Sequence, residues 1–154
     1  MKALVIYDSV FGNTEKVAQA MGAALGKGAK VLKVSEVTSE DLTGLDLLLV
    51  GSPTRGFRPT EGIAAFLKDL AAGNLEEVKA AAFDTRIPTE KIKSGVLRFM
   101  VKLGGYAAPV ITKKMKQHGA QIAAEPEGFF VLDTEGPLAE GELERAEEWA
   151  KKLK

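Results

Sequence analysis

Apolar residues run unbroken from Ala3 to Tyr7 and from Leu47 to Val50, and a third run, Val78 to Phe83, is broken only by Lys79. Short runs without polar alternation fit strands buried on both faces, as in a parallel sheet. Between them the period becomes helical. Residues 15–25 place Val17, Met21 and Leu25 on one face, with Ala18 and Ala24 beside it. Residues 61–72 do the same with Ile63, Phe66, Leu67 and Leu70, after Thr60 as N-cap. Gly26 with Gly28, and Gly73 with Asn74, stop these helices. Residues 106–118 read as a helix with Pro109 in its first turn. Residues 142–153 form an amphipathic helix with Leu143, Ala146, Ala150 and Leu153 inward.

Three segments depart from these two periods. Residues 29–34 (AKVLKV) alternate and carry two lysines, which suits an edge strand. Residues 35–46 are a polar connection with a short helical turn. Residues 121–124 and 128–132 read as one last strand interrupted by Glu125-Pro126-Glu127. The whole is β-α repeated about five times, without internal repeat or linker. It predicts an α/β fold: a doubly wound five-stranded parallel sheet in three layers, α/β/α. One domain is expected over residues 1–154. In such sheets ligands sit beyond the C-terminal strand ends, at the topological switch point. That rule selects three loops, residues 8–14, 52–60 and 84–89.

The first loop, DSVFGNTE, has what a phosphate needs. Ser9 and Thr14 offer hydroxyls, Asn13 an amide, and Gly12 a backbone that turns sharply. The helix after it aims its unpaired N–H groups and positive dipole end at the same place.

Composition removes alternatives. The chain has no cysteine and one histidine, His118, so disulfides, thiolate chemistry and His-based metal clusters are excluded. His118 reads as a surface or capping residue near a helix C-terminus. No apolar run reaches the roughly 18–20 residues of a membrane span, and the N-terminal apolar stretch is too short for a secretory signal, so a cytoplasmic location is expected. The net charge of +0 points to no nucleic acid. The distribution is uneven: Arg86, Lys91, Lys93, Arg98, Lys102, Lys113, Lys114 and Lys116 face only Glu90 in that stretch, whereas glutamates dominate residues 135–148.

With these residues in view, the chain resembles the flavodoxin family, the short-chain kind. Ser9, Gly12, Asn13 and Thr14 match the family's phosphate loop, in which Phe11 replaces a hydroxyl residue. Gly51-Ser52-Pro53-Thr54 matches its second loop, and Asp84 its third. The ending, Glu135-Gly136-Pro137-Leu138 before a glutamate-rich helix with Trp149, resembles a subset of flavodoxin-like chains. The resemblance implies strand order 2-1-3-4-5 and FMN as cofactor. The phosphate would lie on the N–H groups of Val10, Phe11, Gly12, Asn13 and Thr14 and the hydroxyls of Ser9, Thr14 and Thr54. The ring would lie between the second loop (Pro53, Thr54, Arg55, Gly56, Phe57) and the third (Asp84, Thr85, Arg86). Family members usually sandwich the flavin between two aromatic rings, and here only Phe57 is offered. Arg86 would either favour the reduced, anionic flavin from its edge or form a surface pair with Asp84 that pins the loop.

The segment from Ser94 to Leu103 (SGVLRFMVKL) exceeds what a minimal fold of this kind needs. It is either a helix packed across the sheet or a docking element for a redox partner beside the flavin. Function is expected to be FMN-based electron transfer. The alternatives are a small NAD(P)H- or quinone-type reductase, or a fold that has lost flavin and serves as an interaction module. A response-regulator receiver is disfavoured, because one acid, Asp8, follows the first strand and Gly51-Ser52 ends the third.

Overall fold

The computed structural model describes residues 1–55, 58–70, 73–88, 95–96 and 105–154. Six strands form one sheet: β1 (Ala3–Tyr7), β2 (Ala29–Lys33), β3 (Leu47–Pro53), β4 (Lys79–Arg86), β5 (Gln121–Ile122) and β6 (Glu127–Phe130). Among the described residues, four helices flank it: α1 (Asn13–Leu25), α2 (Glu61–Asp69), α3 (Ala107–Gln117) and α4 (Glu142–Lys151). The order is β2-β1-β3-β4-β5, with β6 also on β4, and every strand pair is parallel. This is the order the resemblance implied.

The last sheet position holds two short strands rather than one. Ala80 pairs with Ile122 and Phe83 with Glu127, so three steps along β4 oppose five along the outer chain. The extra residues form a bulge around Pro126, which has no N–H to give a ladder. The polar connection after β2 contains two 3-10 turns, Val34–Glu36 and Ser39–Leu42.

Alternation along β1, β3 and β4 divides the core into two layers. Leu4, Ile6, Leu48, Val50, Ala80 and Ala82 face α2 and α3, meeting Ile63, Leu67, Ile111 and Met115. Ala3, Val5, Leu47, Leu49, Ala81 and Phe83 face α1 and α4, meeting Val17, Met21, Ala146 and Ala150. The second layer centres on Phe83, Phe129 and Trp149, mutually edge-to-face at 6.2–6.3 Å. Gly51 is where it is because the Phe83 ring fills the adjoining space: a Cβ there would lie 2.1 Å from the ring.

Two side chains of α4 exchange the places the helical period predicts. Leu143, expected inward, is exposed, and Glu142 beside it is 6% exposed. Glu142 accepts the Phe130 N–H at 2.6 Å and meets Arg145 at 2.7 and 2.9 Å. Burial alone would raise its carboxyl, but the Arg145 guanidinium and the Phe130 N–H together hold it below the ordinary range.

Candidate functional site

The C-terminal ends of β1, β3 and β4 meet at a cavity of about 330 Å³. Ser9, Val10, Phe11, Asn13 and Thr14 line it from the first loop and the start of α1. Pro53, Thr54 and Arg55 line it from the end of β3, and Thr85, Arg86 and Ile87 from the end of β4. The three loops chosen from the sequence thus converge on one space.

Small polar groups hold the first loop. Gly12 is the N-cap of α1 with φ 91°, a left-handed conformation that suits glycine. Its N–H donates to Ser9 Oγ at 3.0 Å, which leaves the Ser9 hydroxyl proton for another acceptor. The helix begins two residues before the predicted start, so Asn13, Thr14 and Glu15 contribute first-turn N–H groups that precede the first intrahelical bond, Lys16 N–H to Gly12 O. Thr14 and Thr85 share a buried hydroxyl–hydroxyl bond of 2.8 Å; whichever donates, the other keeps its proton. Asp8 is structural: it accepts Ser9 N–H at 2.9 Å and the Thr60 hydroxyl at 2.6 Å, tying the loop to the start of α2.

The end of β4 is built differently. The strand runs through Arg86, so Asp84 and Thr85 are strand residues rather than loop residues. Asp84 is fully buried and is not among the residues that line the cavity. Its carboxylate takes Arg86 through two bonds of 2.6 and 2.7 Å and the Ala108 N–H at 2.9 Å. Burial pushes the Asp84 carboxyl up, and Arg86 and the Ala108 N–H pull against that. The pair is therefore real, but buried rather than on the surface. Arg86 also lies over the Tyr106 ring, 3.6 Å from its centroid, and against Gly128, where a Cβ would sit 2.1 Å from Nε. Thr54 Oγ1 accepts the Ala107 N–H at 3.0 Å, so two site elements cap α3 from outside it.

Arg55 differs from Arg86. Its main chain exchanges hydrogen bonds with Arg58, at 2.8 and 3.1 Å. Its guanidinium stands 5.7 Å from the Phe11 ring centroid, and among the described residues it has no carboxylate within ion-pair distance. Gly56 and Phe57, and with Phe57 the predicted stacking ring, lie outside the described residues. So do Ser94 and residues 97–103, within which the docking segment was expected; Gly95 and Val96 are described, and Val96 is 70% exposed.

Sequence reasoning missed Ile87, Val131 and Thr134, which complete the cavity lining, and the partner of Asn13. Asn13 lines the cavity, and one N–H of its Nδ2 donates to Glu135 O at 3.1 Å. The signal was the Gly136-Pro137 turn, whose partner 122 residues upstream no local pattern reveals.

A family model described as a flavodoxin domain matches residues 4–102. The chain belongs to the flavodoxin family. It is 33% identical over 140 residues to a flavodoxin of Aquifex aeolicus, covering 81% of this chain and 76% of that one. Its fold superposes on oxidised flavodoxin 1 of Bacillus cereus with a TM-score of 0.76 at 17% identity, covering 99% of this chain and 97% of that one. It also matches part of rubredoxin oxygen:oxidoreductase of Desulfovibrio gigas, with a TM-score of 0.73 at 19% identity, over 99% of this chain and 35% of that one.

FMN is the cofactor of the flavodoxin family, and the cavity chemistry fits a phosphorylated flavin. Among the described residues its lining has five hydroxyls (Ser9, Thr14, Thr54, Thr85, Thr134), two arginines and no carboxylate. Such a donor set suits an anion next to the dipole end of α1. Among the described residues there is no cluster of acids or histidine able to hold a metal, and no helix long and apolar enough to cross a membrane.

Proposed function

We propose that this chain is an FMN-dependent electron carrier, reduced by one protein and oxidised by another. The observation that carries the reading is the convergence of three loops on one cavity at the sheet's switch point, whose lining among the described residues is rich in hydroxyls, holds two arginines and has no carboxylate. In this reading the hydroxyls of Ser9, Thr14 and Thr54 and the first-turn N–H groups of α1 hold the phosphate. Arg55 supplies the charge that offsets the hydroxyl lost at Phe11. Pro53 on one side, and Thr85 with Arg86 on the other, flank the ring. Arg86 is neutralised by Asp84 and orients the wall more than it charges it. The flavin supplies the one-electron chemistry when bound.

A carrier needs no general acid or base, and two acids at the strand ends beside the site are committed to other partners: Asp8 to Thr60, Asp84 to Arg86. That favours a carrier over a reductase. Docking of the redox partner beside the segment from Ser94 to Leu103 belongs to the same proposal.

The test is a visible spectrum of the purified protein and an FMN titration of the apoprotein followed by flavin fluorescence. Quenching with micromolar or tighter affinity, and no turnover with NAD(P)H unless a reductase is added, is the expected result. Direct turnover with NAD(P)H would make it a reductase. No binding at high FMN would make it an interaction module.

A further inference from the structure

The turn that ends in Gly136-Pro137 lies against the phosphate loop. Val131 and Thr134 line the same cavity as Ser9 and Thr14. The loop is closed at its base by a Val131–Leu138 bridge and by Leu132 N–H to Pro137 O at 2.9 Å, and within by Gly136 N–H to Asp133 O at 2.9 Å. Its tip meets Asn13, a residue 8% exposed, through the bond to Glu135 O. The approach is close: Gly136 has φ 106°, and a Cβ there would sit 2.8 Å from both Nδ2 and Oδ1 of Asn13. Behind the loop, Glu142 holds the Phe130 N–H and Arg145 the Gly128 carbonyl, so α4 anchors the strand from which the loop springs.

We propose that residues 131–138 are a fourth wall of the flavin site, clasped to the phosphate loop by Asn13, and that the Asn13 side chain positions the loop rather than binding the phosphate. The inference rests on the FMN reading above and adds to its three loops a segment on the far side of α1's first turn. It also gives a physical reason for Glu135-Gly136-Pro137. The carbonyl accepts the clasp, the glycine permits the left-handed turn and the close approach, and the Pro137 carbonyl closes the loop base.

Two variants break the clasp from opposite sides. Asn13→Ala removes the donor and Gly136→Ala pushes the turn off it. Both are expected to weaken FMN about tenfold and to speed its release, and the double variant to be no worse than either alone, since one contact cannot be lost twice. Loss of affinity in Asn13→Ala but not in Gly136→Ala would mean that Asn13 touches the phosphate directly and would overturn the proposal. No change in either would overturn it too. If Gly136→Ala fails to fold by circular dichroism, Thr134→Val replaces it: a several-fold loss of FMN affinity supports the wall, and an unchanged affinity refutes it. The unsubstituted protein is titrated alongside. If it does not bind FMN, the cofactor reading fails by itself, and the clasp is then judged by hydrogen exchange of the α1 first-turn amides. Faster exchange in Asn13→Ala keeps the clasp; unchanged exchange removes it.

Discussion

The cavity has two unlike sides. On the side of β4, β6 and α3, charged groups are locked together: Asp84 is fully buried, Arg86 is forked onto it and stacked on Tyr106, and Gly128 leaves room for the fork. Just behind, Glu142 and Arg145 repeat the arrangement, with the Arg145 guanidinium 4.5 Å from the Phe129 centroid. On the side of the β1 and β3 loops, Val10, Phe11 and Arg55 are exposed, and single hydrogen bonds to small side chains hold the chain. The locked side fixes shape, and its charges cancel in pairs. The open side carries Arg55, which has no ion-pair partner among the described residues, and the hydroxyl of Ser9, so discrimination among ligands is expected there. Damage to the locked side should show as instability, and damage to the open side as altered binding.

The largest effect should come from Asp84→Ala. It strands a nearly buried guanidinium and leaves the Ala108 N–H without its acceptor. Breaking a buried pair from one side costs about 3–5 kcal/mol. Urea unfolding should show a loss in that range. A loss below about 1 kcal/mol would mean that Arg86 reaches water with little rearrangement and that this side is not locked.

Glu142→Gln is the next step down. Gln keeps the shape and loses the charge, so the expected cost at neutral pH is about 1–3 kcal/mol, as for a hydrogen bond to a charged group. Because the Glu142 carboxyl is held below its ordinary range, the folded state binds its proton later than the unfolded state does. The stability from this pair is present above the unfolded carboxylate pKa, about 4.3, and is lost as pH falls through the lower folded value. The gap between parent and variant should therefore hold constant from pH 7 until the unfolded carboxylate pKa of about 4.3 is approached and narrow below it in unfolding curves taken down to pH 3. A gap that stays constant down to pH 3 would show that the Glu142 charge contributes nothing.

How far such a division could be read in the chain depends on the range of the interactions. The strands β1 and β3 were legible because unbroken apolar runs have one comfortable place, between two helical layers. The converging loops followed from topology, since the switch point is a property of strand order. Asn13 and Thr14 read correctly as polar groups at a helix start, but not for what they bond. Their partners, Glu135 and Thr85, stand 122 and 71 positions away. Asp84 read as a loop acid because β4 was ended at Phe83; the ladder continues since Ser52 and Pro53 on β3 pair with Asp84 and Thr85. Leu143 and Glu142 were exchanged for a related reason. Helical periodicity treats every glutamate as solvated, whereas the Phe130 N–H and Arg145 satisfy this one inside.

The smallest effect in free energy is the one that tests the open side. Arg55→Gln removes an exposed charge that has no acidic partner among the described residues, so folding should change by no more than about 0.5 kcal/mol. Binding should respond selectively. If Arg55 offsets the missing hydroxyl at Phe11, the variant should bind FMN about tenfold more weakly, some 1.4 kcal/mol, while riboflavin, which lacks the phosphate, should bind both proteins alike. Salt supplies an internal check. An exposed charge is screened over about 10 Å at 0.1 M ionic strength, so FMN affinity of the unsubstituted protein should fall with added salt and that of the variant should fall less. Equal weakening for FMN and riboflavin would place Arg55 against the ring instead, and the open side would then recognise the flavin by stacking and not by charge.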